Sequence, residues 1–119
     1  MKDFRKLSVW EKSHSLATEI YKVTTSFPKS EMFGLTSQIR RASVSIPANI
    51  AEGCGRDGEA DFARFLQIAF GSASELEYHI LLARDLKFLD EKSYNNLSTH
   101  VTEVKRMLTS FIQKLKAEC

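Results

Sequence analysis

The sequence predicts an all-α protein, an antiparallel up-down-up-down four-helix bundle, and three observations carry that prediction. Apolar residues alternate by four and three along Phe62, Leu66, Ala69, Ala73, Leu76, Ile80 and Ala83, and again along Tyr94, Leu97, Val101, Val104, Leu108, Phe111 and Leu115. That spacing belongs to helices packed along a seam, not to strands. The joins between the periodic runs are short and abruptly punctuated, at Pro28 and within Gly53-Cys54-Gly55-Arg56-Asp57-Gly58, which favours antiparallel neighbours. No segment alternates with the two-residue period of a half-buried strand. At 119 residues the chain is expected to form a single domain, residues 1–119, large enough to bury an independent core.

The first helix is expected from about Leu7 to Phe27, with one seam through Val9, Ser13, Leu16, Ile20, Val23 and Phe27 and a second through Trp10, His14, Ala17, Tyr21 and Thr24. Pro28 stops it, because a proline lacks the N–H that a helix interior needs. The second helix begins between Met32 and Leu35, ends at Gly53 and Gly55, and should bend at Pro47. The third runs from about Glu59 to Leu86. Its seam is widened by Phe65 and Ile68 on one side and by Ala63, Phe70 and Leu81 on the other, more apolar width than a lone bundle needs, so contact beyond the bundle is expected. Its small-residue run Gly71-Ser72-Ala73-Ser74 fits either a tight crossing inside the bundle or the approach of another backbone. The fourth helix runs from about Glu91 to Ala117.

Composition narrows the function classes. Hydrophobic residues at 43% and charged residues at 27% are ordinary globular values, unlike those of a disordered chain. No apolar run is long enough to span a bilayer, and the N-terminus leads into no export signal, so a cytoplasmic, membrane-free protein is expected. Cys54 and Cys119 have no partner spacing for zinc or a disulfide framework and read as free thiols. A formal charge of +2 does not by itself announce nucleic acid. From Lys92 to Cys119, however, Lys92, Lys105, Arg106, Lys114 and Lys116 face only Glu103 and Glu118. Such a run suits a solvated helix face with favourable cations near its C-terminus.

One polar line stands out. At about 100° per residue, Gln38, Arg41, Ser45, Asn49 and Glu52 share a stripe of the second helix, bordered by Leu35, Ile39, Ala42, Ile46 and Ile50 on one side and Val44, Ala48 and Ala51 on the other. Flanked that way, the stripe is expected to be buried and to need partners on another helix, another subunit or a ligand. The Arg41 fork matches the Glu75 carboxylate, with Ser72 completing the set. A structural network is the favoured reading and a ligand pocket the competing one.

No catalytic or metal constellation emerges, and no cofactor is expected. A carboxylate-bridged metal pair would need two Glu-x-x-His motifs. The histidines are His14, His79 and His100, and Glu75 with His79 suits a hydrogen-bonded pair one turn apart. Ser45 and Cys54 lack an evident base or oxyanion site. The glycine loop before the third helix carries Asp57, Glu59 and Asp61, which oppose an anion, and reads as a plain turn.

The segments Gln38-Ile39-Arg40-Arg41-Ala42, Ser45 to Gly53 and Gly71-Ser72-Ala73-Ser74-Glu75-Leu76-Glu77, with Phe4 to Trp10 and Phe27 to Glu31 as flanks, resemble the bacterial four-helix-bundle proteins related to the 23S ribosomal RNA intervening-sequence protein. The likeness covers nearly the whole chain. It departs at Gly58 and Asp61, where many members place a Ser and Glu capping box. The resemblance implies a homo-oligomer, a five-membered ring, and no established catalytic activity. A distant relative acts as a nucleic-acid-binding accessory subunit of retroelements. Two functions are therefore expected to compete. One is a non-enzymatic self-associating scaffold or adaptor with a protein partner. The other is an RNA- or DNA-binding protein using Lys105, Arg106, Lys114 and Lys116, with Arg40 and Arg56.

Overall fold

The computed structural model describes residues 2–118, so Cys119 lies outside the described residues. Four helices, α1 (Ser8–Thr24), α2 (Leu35–Cys54), α3 (Glu59–Asp85) and α4 (Glu91–Glu118), form a rod of 46 × 23 × 20 Å. Each packs against its neighbours in sequence, α4 closes on α1, and α2 with α3 forms the most extensive pair. That ring of contacts is the predicted antiparallel bundle, and no strand is present among the described residues.

The first α1 seam and the seams of α3 and α4 supply most of the core, whereas of the second α1 seam only Ala17 and Thr24 are buried and His14 and Tyr21 are exposed. Leu16, Ile20, Ile39, Ile46, Ile50, Leu66, Leu76, Ile80, Leu97 and Leu108 are fully enclosed. Phe62 meets Phe111 edge-on with ring centres 5.3 Å apart. α2 continues through Pro47, which is buried. Of the buried polar residues, Ser13, Thr24 and Ser43 turn their hydroxyls onto their own helix, donating to the carbonyls of Trp10, Ile20 and Arg40. This local bonding lets a small polar side chain sit inside a bundle without a cross-helix network.

α1 ends at Thr24, three residues before the expected stop. The amides of Thr25, Ser26 and Phe27 donate to the carbonyls three residues back, tightening the last turn. The residue before a proline is driven out of the helical region, and here the turn swings Phe27 inward against Phe88, ring centres 5.5 Å apart. Two short 3₁₀ turns, Phe4–Lys6 and Lys29–Glu31, flank the helices. The first is pinned by Lys2, whose amide donates to the Cys54 carbonyl (3.2 Å) and whose ammonium pairs with Glu59 (2.9 Å).

The ends of α3 and α4 have distinct solutions. Gly58, at the start of α3, has φ +86°, so glycine is there for its backbone, and a serine cap would be strained. α4 is capped by Asp90, whose Oδ1 accepts from the Ser93 amide at 2.7 Å. Hydrogen bonds from Ser93, the backbone one first, hold this carboxyl below its ordinary pKa. The cap's contribution is thus complete above the ordinary carboxylate pKa and fades as pH falls through the lowered value. At the C-terminus of α3, Phe88 donates to the Ala83 carbonyl and Lys87 to that of Arg84, the paired bonds of a Schellman turn. The left-handed position is filled by Lys87 (φ 66°) where glycine is usual. Lys87→Gly is expected to raise stability by about 1 kcal/mol in denaturant titration.

Candidate functional site

Two surfaces carry the candidate residues, the outer face of the α2–α3 pair and the outer face of α4. On α2 the core-facing residues are Leu35, Ile39, Ala42, Ile46, Ile50 and Gly53, with Thr36, Ser43 and Pro47 beside them. Arg40 marks the α1 side, since its Nε donates to Thr24 Oγ1 at 2.8 Å and its guanidinium covers the Tyr21 ring. Gly53 marks the α3 side: a Cβ there would stand 2.8 Å from the Phe65 Cβ and 3.0 Å from the Phe62 ring. Helical phase then carries the polar line along the outer lip of the α2–α3 crevice.

The expected burial of that line is corrected accordingly. Gln38, Arg41 and Glu52 are exposed, and Ser45 and Asn49 are half-buried. Only one of its apolar borders enters the core. The other does not, for Val44 is 42% exposed and Ala48 is exposed as well. The predicted Arg41–Glu75 pair does not form. Glu75 Oε2 instead meets His79 Nε2 at 2.9 Å, the one-turn pair read from spacing, and Glu52 pairs with Arg56 at 2.9 Å. Ser45 and Asn49 bond back to the carbonyls of Arg41 and Ser45. With both carboxylates of the set engaged elsewhere, the Arg41 guanidinium is left facing outward. Ser72 is half-buried on the same side of α3.

The small-residue run divides. Ala73 is fully buried and forms part of the core. Gly71 is exposed, and a Cβ added to it would meet nothing within 4 Å. The tight crossing within this chain is at Gly53 instead. Most of the extra apolar width of α3 is absorbed by the bundle: Phe65 is buried and Ala63 and Phe70 pack against the core. Ile68 at 41% exposure is the exception, joined by Tyr78 at 57%. Gly71, Ile68, Glu75 and Tyr78 fall on one outward face of α3 by their spacing.

The basic candidates also separate. Arg40 bolts α2 to α1, and Arg56 pairs with Glu52 and lies over Phe65. Lys105 joins α4 to α3 through Glu77 at 2.9 Å and lies over Phe70. These three are committed to holding the bundle together. Lys12 of α1 forms an ion pair with Glu103 of α4, and its hydrogen bond and charge hold the Glu103 carboxyl below its ordinary pKa. Arg106, Lys114 and Lys116 remain on α4, each exposed and in no ion pair with a carboxylate of residues 2–117, although the charge of Arg106 helps to lower the Glu103 pKa.

Arg106 and Lys114 border a groove of about 490 Å³ between the start of α1 and α4, floored by Leu7, Val9, Met107 and Phe111. Sequence reading did not find this groove. The available signal was the row Arg106, Ser110, Lys114 at four-residue spacing beside the row Met107, Phe111. What faces them across the groove depends on the α1–α4 packing. Cys54 is buried, and desolvation pushes its thiol pKa up, away from the thiolate that reactivity requires. No group of three or more His, Cys, Asp or Glu gathers as a metal site among the described residues, and none of their helices is long and apolar enough to cross a membrane.

Comparison with known proteins places this geometry. The family described as 23S rRNA-intervening sequence protein matches residues 5–110. Among solved structures, a protein of unknown function from the S23 ribosomal protein family of Bacteroides thetaiotaomicron VPI-5482 is 30% identical and superposes with a TM-score of 0.81, over 88% of this chain and 95% of that one. No curated protein matches the chain.

Proposed function

The chain belongs to the 23S rRNA-intervening sequence protein family, and from the face its fold leaves uncovered we propose that it is a non-enzymatic, self-associating helical scaffold. The observation that carries this reading is the outer α2–α3 face. There Ile68 and Tyr78 expose apolar surface beside a mid-helix Gly71 that nothing in its own chain approaches. A glycine in mid-helix costs about 1 kcal/mol relative to alanine, and within this chain no contact offsets that cost. A second copy laid against the face would cover the apolar side chains, bring a backbone close at Gly71 and offer Arg41 a carboxylate. Five copies is the count that family resemblance implies.

A second reading, binding of RNA or DNA, is favoured by the unpaired Arg106, Lys114 and Lys116 on α4. Phosphate contacts of this kind weaken steeply with salt, and an oligomer would repeat them.

Light scattering coupled to size exclusion tests the first reading. The expected mass is a multiple of 13.5 kDa, falling to a single chain when Ile68→Glu and Tyr78→Glu are combined. Gly71→Leu should also weaken assembly. A single-chain mass for the unaltered protein at every concentration would falsify self-association. Nucleic acid carried through purification, seen in the ultraviolet absorbance ratio and lost on raising salt, supports the second reading.

A further inference from the structure

We propose that the groove between the start of α1 and α4 binds a small organic anion: a carboxylate, sulfonate or phosphate head on an apolar body. The site lies on α4, away from the α2–α3 face, and its existence does not depend on self-association.

The groove is built in two rows along one helix. Met107 and Phe111, one turn apart, form an apolar strip that Leu7 and Val9 complete from the α1 side. Beside it, Arg106, Ser110 and Lys114 follow one another at one-turn intervals and also line the groove. Arg106 and Lys114 are two turns apart, about 12 Å along the axis, so their long side chains can converge on a head group near Ser110. The volume, about 490 Å³, falls in the range of small-molecule sites, which join an apolar lining to a few placed polar groups.

The charge of the occupant follows from how neighbouring charges are spent. Glu103, one turn before Arg106, is held by Lys12 from α1, and Glu77, in an adjoining groove that Arg106 also borders, is held by Lys105. These pairs leave Arg106, which shares only the longer-range field of Glu103, and Lys114 over an apolar floor with no ion pair to any carboxylate of residues 2–117. A neutral apolar ligand would fill the floor and leave the cations idle, and inorganic phosphate would do the reverse. An anion with an apolar body uses both.

The probe for the test is 1-anilinonaphthalene-8-sulfonate, an aromatic sulfonate that fluoresces when its rings leave water, titrated into the folded protein with chain mass followed in parallel. Saturation at one probe per chain is expected. Combined Arg106→Gln and Lys114→Gln should weaken binding about tenfold or more, the loss expected for a charge-assisted head-group contact. Met107→Ala should weaken it as well, and Lys116→Gln, which lies outside the groove, should leave it unchanged. Displacement by octanoate would identify an acyl carboxylate as the natural type, and displacement by adenosine monophosphate a nucleotide; either result supports the site. Unchanged affinity in the double variant would overturn the proposal. So would an equal loss in Lys116→Gln, which would mean diffuse charge attraction. A change in chain mass produced by the double variant would assign the groove to a second copy and equally overturn it. Mass alone reports on the scaffold reading, so the two can fail separately.

Discussion

Phe62→Ala is expected to be the most destabilising simple truncation in the bundle, lowering unfolding free energy by about 3–5 kcal/mol. The ring is almost wholly buried, stands edge-on to Phe111 of α4 and lies against Gly53 of α2. It therefore touches two other helices at one level, and its removal leaves a cavity that three backbones would have to move together to close. Leu66, one turn further along, is already fully enclosed, so no neighbour is free to swing in. The check is denaturant unfolding at one protein concentration, because association adds its own stabilisation. The midpoint should fall with the slope unchanged. A loss below about 1 kcal/mol would show that the site collapses and that the aromatic contact contributes little.

Gly53→Ala is expected to cost about 1–3 kcal/mol, although alanine is the better helix former and would ordinarily stabilise a helical position. The sign turns on two contacts. The added Cβ would stand 2.8 Å from the Phe65 Cβ and 3.0 Å from the Phe62 ring. The ring atom belongs to a side chain that can tilt, whereas the Phe65 Cβ moves only with the α3 backbone. Gly53→Ala should therefore remain destabilising in a Phe62→Ala background, with a double-mutant coupling that recovers only part of the cost. Full rescue would mean that the Phe62 ring alone enforces the glycine. By contrast, Gly71, open to solvent, should accept alanine without harm to the single chain.

The helices themselves were legible because each is encoded by neighbours in sequence. The four-three recurrence on α3 and α4 and the Glu75–His79 pair act within a few residues and the structure places them as read, while the break at Pro28 is local too but takes effect three residues early, at Thr24. The breadth of α3 was also legible, yet its meaning was not. Phe65 and Phe70 turned inward while Ile68 and Tyr78 did not, a choice made by how far α2 and α4 wrap around α3.

The polar line fared similarly. Gln38, Arg41, Ser45, Asn49 and Glu52 do share a stripe, as the geometry of one helix requires. Whether it is buried depends on the phase of α2 against α1 and α3, and two apolar borders of similar composition left that phase open. Arg40 and Lys105 show the same limit for charge. As residues they were candidate phosphate contacts, but Thr24 on α1 and Glu77 on α3 claim them, and those partners become neighbours only through packing.

By itself the sequence determined the all-α class, the four helices and their seams, since periodicity and turn chemistry are local properties of a chain. Only the tertiary structure decided which arcs of α2 and α3 stay uncovered, which cations remain unpaired, and that Arg106 and Lys114 border an apolar groove. Those are relations between helices, set by rotation about each helix axis, and a change of phase that leaves every local signal intact would rearrange them all.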